Sequence, residues 1–332
     1  MKSASNGSLE DANSNVTWSS SLVLALGVPQ VLVNLISIIC NAVVVFGIAT
    51  VEQRRRPIIV LFRSLALSDL LTGCSSLYVA LLFISNPDNS IHGSQELLVA
   101  YSIFTVSILS TVYNLISIGV ERYLTVADCL RERGRLSEQH IWLAAGSSWI
   151  LASLLGMLPL MGWNCLGKEA AASRLYGPFC IDYLIFIAAP NFAVASLCLL
   201  LTYVAIIVIL RRQSSTVAAH AHSTSCYKVA EARVTKTSAF IWVTTLISYA
   251  PFFGGVLWDV LDHSPAEDIR IGVYIFRNCT AIMITANSLV NPIIYTHKQR
   301  GLGCSMSSLK GSKNWSISAP LGCYFLYCYK RA

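Results

Sequence analysis

The chain has 332 residues, of which 55% are hydrophobic and only 12% are charged, and its mean hydropathy is +0.60. Soluble globular domains carry about 25% charged residues, so the composition excludes a protein whose whole surface faces water. The formal net charge of +7 is spread over connections and a C-terminal tail, without the basic patch that nucleic-acid binding requires.

Seven apolar segments follow one another along the chain. They cover residues 22–51, 57–86, 97–127, 141–162, 183–211, 228–260 and 270–297. About 20 apolar residues cross a bilayer as an α-helix, and the short alternating segments of a membrane β-barrel are not seen. We therefore predict an all-α membrane protein, a seven-transmembrane helix bundle over 22–297, with tails at 1–21 and 298–332.

The basic residues of the chain predict its orientation in the membrane. They are concentrated at 54–56, 131–135, 211–212, 228–236 and 298–331, which all fall on one side of a seven-helix protein. Cytoplasmic loops carry the excess of lysine and arginine, so we expect an extracellular N-terminus and a cytoplasmic C-terminus at the plasma membrane. Sequons at Asn6 and Asn15 agree with this orientation as predicted glycosylation sites.

Polar residues inside the segments are candidate functional residues, because burying them in lipid is costly. Asp69 lies in the middle of the second segment, and Asn41 lies in the first. We predict a buried polar cluster of Asp69, Thr111, Asn287 and Asn291. This cluster holds either a sodium ion, bound by oxygen ligands, or a network of water molecules without an ion. No other cofactor is expected.

The run Glu121-Arg122-Tyr123 lies at the cytoplasmic end of the third segment. Arg122 can pair with an acidic residue of a neighbouring helix, and Glu231 at the start of the sixth segment is the candidate partner. The alternative is that Arg122 only extends its guanidinium to the membrane surface. The sequence of this run by itself leaves both interpretations open.

Together these residues resemble the rhodopsin-like G-protein-coupled receptors. The segments carry, in order, Asn41, the LALSD run ending at Asp69, Glu121-Arg122-Tyr123, Trp149, Pro251 and Asn291-Pro292-Ile293-Ile294-Tyr295. The resemblance covers about 22–297 and implies a receptor, not an enzyme, that activates a heterotrimeric G protein when an extracellular ligand binds. It assigns the central switch to Arg122, with Glu231 as its partner in the inactive state.

The same resemblance implies roles for other residues of the switch. Tyr295 matches the tyrosine of the NPxxY motif, and Tyr203 in the fifth segment is its expected partner in the active packing. Leu130 matches the apolar residue that docks into the G protein. Tyr249 replaces the usual tryptophan of the sixth segment, and we expect raised basal activity because its ring is smaller.

A narrower resemblance is to the lysophospholipid, sphingosine phosphate and cannabinoid receptors. It rests on the run LPLMGWNC at 158–165 and on Leu97, which stands where most relatives have a cysteine. It implies a disulfide within the second outer loop, between Cys165 and Cys180. The charged and polar head-group residues of lysophospholipid receptors are not matched, since residues 100–101 are Ala-Tyr.

A ligand pocket is expected in the outer half of the bundle. Its predicted lining residues are Tyr78, Tyr101, Phe104, Tyr249, Phe252, Trp258, Arg277 and Met283. Most of these are aromatic or apolar, and Phe104 stands where amine receptors carry an aspartate. The set favours a lipid or another apolar small molecule. Arg277 either meets an acidic head group, pairs with Asp262 or Asp268, or extends to the membrane surface.

Other functions remain open at this point. A nucleoside or peptide receptor has the same fold, and a non-signalling isoform would keep the fold without G-protein coupling. A small-molecule transporter is the alternative from a different class, although it would need more polar residues along one helix face. A zinc hydrolase and a retinal photoreceptor are excluded, because the histidines lie in loops or at segment ends and no lysine lies between Arg270 and His297.

Overall fold

The structure is a computed structural model. It describes residues 18–50, 58–87, 90, 93–128, 137–168, 171–217, 224–261 and 271–307. Side chains are described for 18–46, 58–87, 90, 93–124, 137–168, 171–209, 211, 240–261 and 271–292. Within these ranges the chain forms helices joined by turns and loops, and an isolated antiparallel bridge pairs Ala172 with Cys180.

Seven long helices form the described part of the chain, which confirms the predicted seven-helix bundle. They are α1 (Ser20–Thr50), α2 (Ile58–Ser85), α3 (Gln95–Asp128), α4 (Glu138–Gly156), α5, α6 (Thr224–Leu261) and α7 (Ile271–Ser307). Helix α5 is a continuous run of three parts, Ile181–Tyr183, a π-helical turn at Leu184–Ala188, and Ala189–Val217. Over the described residues, five helices are long and apolar enough to cross a membrane by length and composition, namely Ser20–Phe46, Ile58–Ser85, Gln95–Leu124, Ile181–Ile209 and Phe240–Leu261.

Large apolar side chains cover the outside of the bundle. Phe46 is 69% exposed, Leu143 70% and Met161 79%. The interior holds buried polar residues such as Asn41 and Asp69, each with 0% exposure. This distribution is the reverse of a soluble protein and suits a bundle whose outer surface contacts lipid.

Helix α3 lies at the centre of the bundle, in contact with α2, α4 and α5. Gly156 lets α4 approach α3 closely, because a Cβ at this position would lie 2.8 Å from the backbone nitrogen of Val106. The indole N–H of Trp149 on α4 donates a 3.0 Å hydrogen bond to the Ser64 hydroxyl on α2. Small and hydrogen-bonding residues of this kind are what join helices in a membrane.

Two helix ends differ from the sequence-based prediction. Helix α4 ends at Gly156, six residues before the predicted end of the segment at 162, and the chain turns through 157–162. Pro159 lacks a backbone N–H and cannot continue the helix. Helix α7 continues to Ser307, beyond the predicted boundary at 297.

Candidate ligand cavity and polar core

The loop between α4 and α5 folds into the outer end of the bundle. A disulfide joins Cys165 to Cys180, which confirms the predicted pairing. The backbone N–H of Ser173 donates to the Phe179 carbonyl at 2.8 Å, so the loop turns back on itself. Tyr176 and Phe179 are buried, with 7% and 4% exposure, and their rings point into the helix bundle rather than away from it.

Asp259 on α6 anchors this loop. Its carboxylate accepts hydrogen bonds from the Ser173 hydroxyl at 2.6 Å and from the Arg174 backbone N–H at 3.3 Å. The Ser173 oxygen in turn accepts a hydrogen bond from the Tyr176 backbone N–H at 3.0 Å. The carboxylate of a neighbouring helix therefore holds the loop, together with the Cys165–Cys180 disulfide. Asp259 is not among the residues predicted from the sequence.

A largely apolar cavity lies beneath the loop. The apolar wall comes mainly from α3, α5 and α6 and includes Phe104, Ile108, Leu184, Phe192, Phe252 and Phe253. The polar groups lie on the side of α1, α2, α7 and the loop and include Gln30, Ser76, Tyr176, Arg277, Asn278 and Thr280. The cavity has a volume of about 70 Å³, which is room for a handful of water molecules.

Four of the eight predicted pocket residues line this cavity. They are Tyr101, Phe104, Phe252 and Arg277. Tyr78 and Trp258 do not line it, because they are 46% and 65% exposed on the outer surface of the bundle. Consecutive helical residues point about 100° apart, so in each case the next residue faces inward instead. Val79 lines the cavity, and Asp259 contacts the loop.

The other two predicted pocket residues also lie away from the cavity wall. Tyr249 has 0% exposure and packs against Ile108 and Ile284, which do line the cavity. Met283 is half-buried on α7 and is not part of the lining. Tyr249 thus lies one layer beneath the cavity, in contact with its floor.

Several cavity residues were missed by the sequence analysis. The Gln30 side-chain amide donates to the Asn278 side-chain oxygen at 2.6 Å and joins α1 to α7 at the cavity wall. Gln30 and Asn278 are polar residues within apolar segments, and this pattern could have identified both from the sequence. Tyr176 and Phe179 belong to a loop, and nothing local in the sequence indicates that their rings enter the bundle.

Arg277 is a buried cation at the polar side of the cavity. It is 6% exposed, donates a 2.9 Å hydrogen bond to the Ser90 carbonyl, and lies 5.3 Å from the centre of the Tyr274 ring. Its interactions with the described residues do not include an ion pair. The alternative partners considered from sequence, Asp262 and Asp268, lie outside the described residues.

The predicted polar cluster forms around Asp69. Its carboxylate accepts hydrogen bonds from the Thr111 hydroxyl at 3.3 Å and the Asn291 side-chain amide at 2.7 Å. A third bond comes from the Ser288 hydroxyl at 3.1 Å. Ser288 was missed by the sequence analysis, although it lies three residues before Asn291 and so on the same helix face. These bonds tie α2 to α3 and α7.

Asn287, also predicted to belong to the cluster, is not among the described side chains that donate to this carboxylate. Its side-chain oxygen faces α6, where the Thr245 hydroxyl lies 3.5 Å away. Asn41 joins the cluster indirectly, because its amide donates to the Ser288 backbone carbonyl at 3.0 Å. The donor set around Asp69 is one carboxylate with hydroxyl and amide oxygens, which is the oxygen-rich chemistry that a hard cation such as sodium requires.

The predicted switch residues lie at the opposite end of the bundle from the loop. The Arg122 guanidinium is 3.4 Å from the Glu121 carboxylate and lies 5.9 Å from the centre of the Phe62 ring on α2. Tyr123 and Tyr203 are half-buried, on α3 and α5. The side chains of Glu231 and Tyr295 lie outside the description, as do Leu130, Asn6 and Asn15, so their roles stay predictions.

Comparison with known proteins gives one consistent result. Residues 40–295 match the family model of the 7 transmembrane receptor (rhodopsin family). The G-protein coupled receptor 6 of Homo sapiens is 30% identical over 261 residues, which cover 78% of this chain and 68% of that protein.

Two receptors named for lipids are also similar. The lysophosphatidic acid receptor 3 of Rattus norvegicus is 24% identical over 269 residues, covering 81% of this chain and 73% of that protein. The sphingosine 1-phosphate receptor 4 of Mus musculus is 25% identical over 276 residues, which cover 82% of this chain and 67% of that protein. The similarity to all three relatives extends over most of the helix bundle.

Proposed function

Because the chain belongs to the rhodopsin family of seven-transmembrane receptors, we propose that it binds a lipid or another apolar small molecule in the outer cavity and activates a heterotrimeric G protein. It is a multi-pass membrane receptor and not an enzyme. The observation that carries the proposal is the cavity itself, which has a mainly apolar lining beneath an inserted loop.

The cavity lining favours an apolar ligand over a small amine. Phe104, Phe192 and Phe252 present aromatic rings to it. The guanidinium of Arg277 is a charged group at its wall, and it repels a cationic ligand. Two of the relatives are named for lysophosphatidic acid and sphingosine 1-phosphate, and these names support a lipid ligand for this chain.

The proposed signal passes from the cavity to the opposite end of the bundle. Tyr249 lies directly beneath the cavity in contact with Ile108 and Ile284, so a ligand that moves these side chains changes the packing of α6. Outward movement of α6 would expose Arg122 at the cytoplasmic end to the G protein. This sequence of events requires the extracellular N-terminus and cytoplasmic C-terminus that the basic residues predict.

A sodium ion at the polar core is part of the proposal. Asp69, Thr111, Ser288 and Asn291 supply the oxygen atoms that would hold it. Among the described residues, histidine, cysteine and carboxylate groups do not cluster in threes as a tightly bound transition metal would require. A monovalent ion held by one carboxylate and neutral oxygens would stabilise one packing of α2, α3 and α7.

Guanine nucleotide exchange on a panel of purified G proteins tests this function. Membranes containing the full chain are assayed alone and with lysophospholipids, acyl ethanolamides and adenosine. We expect exchange above that of empty membranes without ligand, and a further rise with a lipid. The Arg122→Ala variant should lose both, since Arg122 would contact the G protein.

Arg63→Ala is the matched control, because Arg63 is an exposed arginine on α2. It should exchange like the wild type. Equal exchange in the wild type and Arg122→Ala would contradict the proposed switch. A complete absence of exchange, with surface expression confirmed, would contradict the proposed function and favour a non-signalling isoform or a transporter.

A further inference from the structure

Among the described residues, no acidic side chain forms an ion pair with the buried guanidinium of Arg277. Its contacts with this part of the chain include the Ser90 carbonyl and the face of the Tyr274 ring, and both are electrically neutral. An arginine side chain has five N–H donors and stays charged under all physiological conditions. Because an isolated charge is strongly disfavoured away from water, a cation that is 6% exposed at a cavity wall is suited to an anionic ligand.

A second polar group at the same cavity is the hydroxyl of Tyr176. The Tyr176 hydroxyl is buried and forms no hydrogen bond within the described chain, although the Thr280 hydroxyl lies nearby. Burial raises the pKa of the Tyr176 hydroxyl, so it remains a neutral donor. An unpaired buried donor costs free energy comparable to a lost hydrogen bond, and an incoming acceptor would recover it.

The position of the Tyr176 ring is fixed by its neighbours. Its centre lies 4.9 Å from that of Phe252 on α6 and 6.0 Å from that of Tyr101 on α3. The Tyr176 backbone N–H is held by Ser173, which is anchored to Asp259. The hydroxyl is therefore presented to the cavity by a loop that is itself tied to α6.

We propose that Arg277 and the Tyr176 hydroxyl together bind the anionic head group, a carboxylate or a phosphate, of a single-chain lipid. This inference rests on the proposed function and adds the charge of the ligand and the residues that recognise it. The guanidinium offers two parallel N–H groups to such an oxyanion, an arrangement that is stronger than a neutral hydrogen bond. The Tyr176 hydroxyl donates a further bond.

The shape of the cavity places the rest of the ligand. From the polar side at Arg277 the lining becomes apolar toward Leu109 and Val112 on α3, and an acyl chain would follow this direction. The 70 Å³ that is free in the cavity does not hold such a chain. The cavity therefore has to widen when the lipid enters.

Binding of three lipids with the same acyl chain tests the proposal. The probes are oleoyl lysophosphatidate, oleate and neutral oleoylglycerol, competed against a fluorescent lipid on the purified full-length receptor in detergent micelles. We expect the two anionic probes to compete better than oleoylglycerol. The comparison of oleate with the lysophosphatidate then distinguishes a carboxylate from a phosphate as the preferred head group.

Two variants test whether Arg277 and Tyr176 recognise the charge of the head group. Arg277→Gln should weaken binding of the preferred anionic probe by about 10- to 100-fold, because a charged hydrogen bond is lost. The affinity for oleoylglycerol should not change. Tyr176→Phe keeps the ring and should weaken the anionic probe by about threefold to tenfold. Lys168→Gln removes an exposed cation from the same loop and is the control, for which wild-type affinities are expected.

The outcomes separate this inference from the proposed function. Competition by oleoylglycerol equal to that of the anionic probes, with no change in Arg277→Gln, would overturn the anionic head-group site and keep the lipid receptor. If Arg277→Gln does not fold, Tyr176→Phe decides, and wild-type affinity in that variant for every probe would equally overturn the site. Failure of all three lipids to compete would contradict the proposed lipid ligand as well.

Discussion

The polar core around Asp69 and the cavity beneath the outer loop each contain a buried charge. The two charges differ in how many hydrogen bonds surround them. The Asp69 carboxylate receives hydrogen bonds from Thr111, Ser288 and Asn291, which come from two other helices. Within the described residues, the Arg277 guanidinium donates a hydrogen bond to the Ser90 carbonyl and lies near the Tyr274 ring, and both groups are neutral. A satisfied network rigidifies a fold, whereas an incompletely satisfied charge at a cavity leaves room for a ligand.

The two regions also differ in what holds them together. The core is held by side chains of the helices themselves. The cavity depends on a loop that a disulfide closes and Asp259 anchors. Substitutions in the loop should therefore disturb ligand binding first, and substitutions in the core should disturb helix packing first. The following predictions, from the largest effect to the smallest, test this division.

Removal of the disulfide should have the largest effect. Replacing both Cys165 and Cys180 with serine releases a loop with a sequence separation of 15 residues, which is expected to cost about 3 kcal/mol in free energy of unfolding. Thermal unfolding of the purified protein measures the loss, and lipid binding should weaken in parallel. Replacing the exposed Cys74 with serine is the control. An unchanged midpoint in the double variant would contradict the role given to the loop.

Neutralising the loop anchor should have the next largest effect. Asp259→Asn weakens the charged hydrogen bonds to Ser173 and Arg174 and should cost about 2 kcal/mol. Asp182→Asn, at an exposed aspartate on the same outer side, should change stability little. Hydrogen exchange of the loop amides checks where the change occurs. Equal protection in both variants would show that Asp259 does not hold the loop.

Two adjacent glycines on α6 provide a matched steric test. A Cβ at Gly255 would lie 2.5 Å from the Phe276 ring and 3.0 Å from Leu175 of the loop, whereas one at Gly254 would have nothing within 4 Å. Gly255→Ala should therefore destabilise the protein by about 1.5 kcal/mol. Gly254→Ala should be neutral or slightly stabilising. Thermal midpoints that shift equally in the two variants would refute the close packing of α6 against the loop.

A substitution in the core should have the smallest effect. Ser288→Ala removes one of the bonds to Asp69 while Thr111 and Asn291 remain, so we expect a loss of about 1 kcal/mol with lipid binding unchanged. Ser147→Ala, at an exposed serine on α4, is expected to stay within about 0.5 kcal/mol of the wild type. Lost lipid binding in Ser288→Ala would mean that the core and the cavity are not separate.

The sequence was informative for polar residues that must face the interior of the helix bundle. Asp69 and Asn291 are costly in lipid, so their presence in apolar segments indicated a polar core. Helix ends were less predictable, as α4 shows by ending at Gly156. Tyr78 and Trp258 were predicted to line the pocket but are exposed on the outer surface, because hydrophobicity does not distinguish a lipid-facing side of a helix from a cavity-facing one.

The loop was the least predictable part. The disulfide between Cys165 and Cys180 followed from the family resemblance, but the insertion of Tyr176 depends on contacts with Phe252 and Asp259 that are distant in sequence. Such contacts leave no local periodic pattern. Ser288, by contrast, lies one helical turn from Asn291, and a search for polar residues on that face would have found it.

The central claim is that a ligand in the outer cavity controls the G protein at the opposite end of the bundle. Ala188 lines the cavity, whereas Ala250 on α6 is exposed on the outer surface. The most direct measurement is therefore lipid-stimulated nucleotide exchange in Ala188→Phe and Ala250→Phe at equal surface expression. We predict that Ala188→Phe loses the response to lipid because its ring occupies the cavity, and that Ala250→Phe retains it. An equal response in the two variants would contradict the claim.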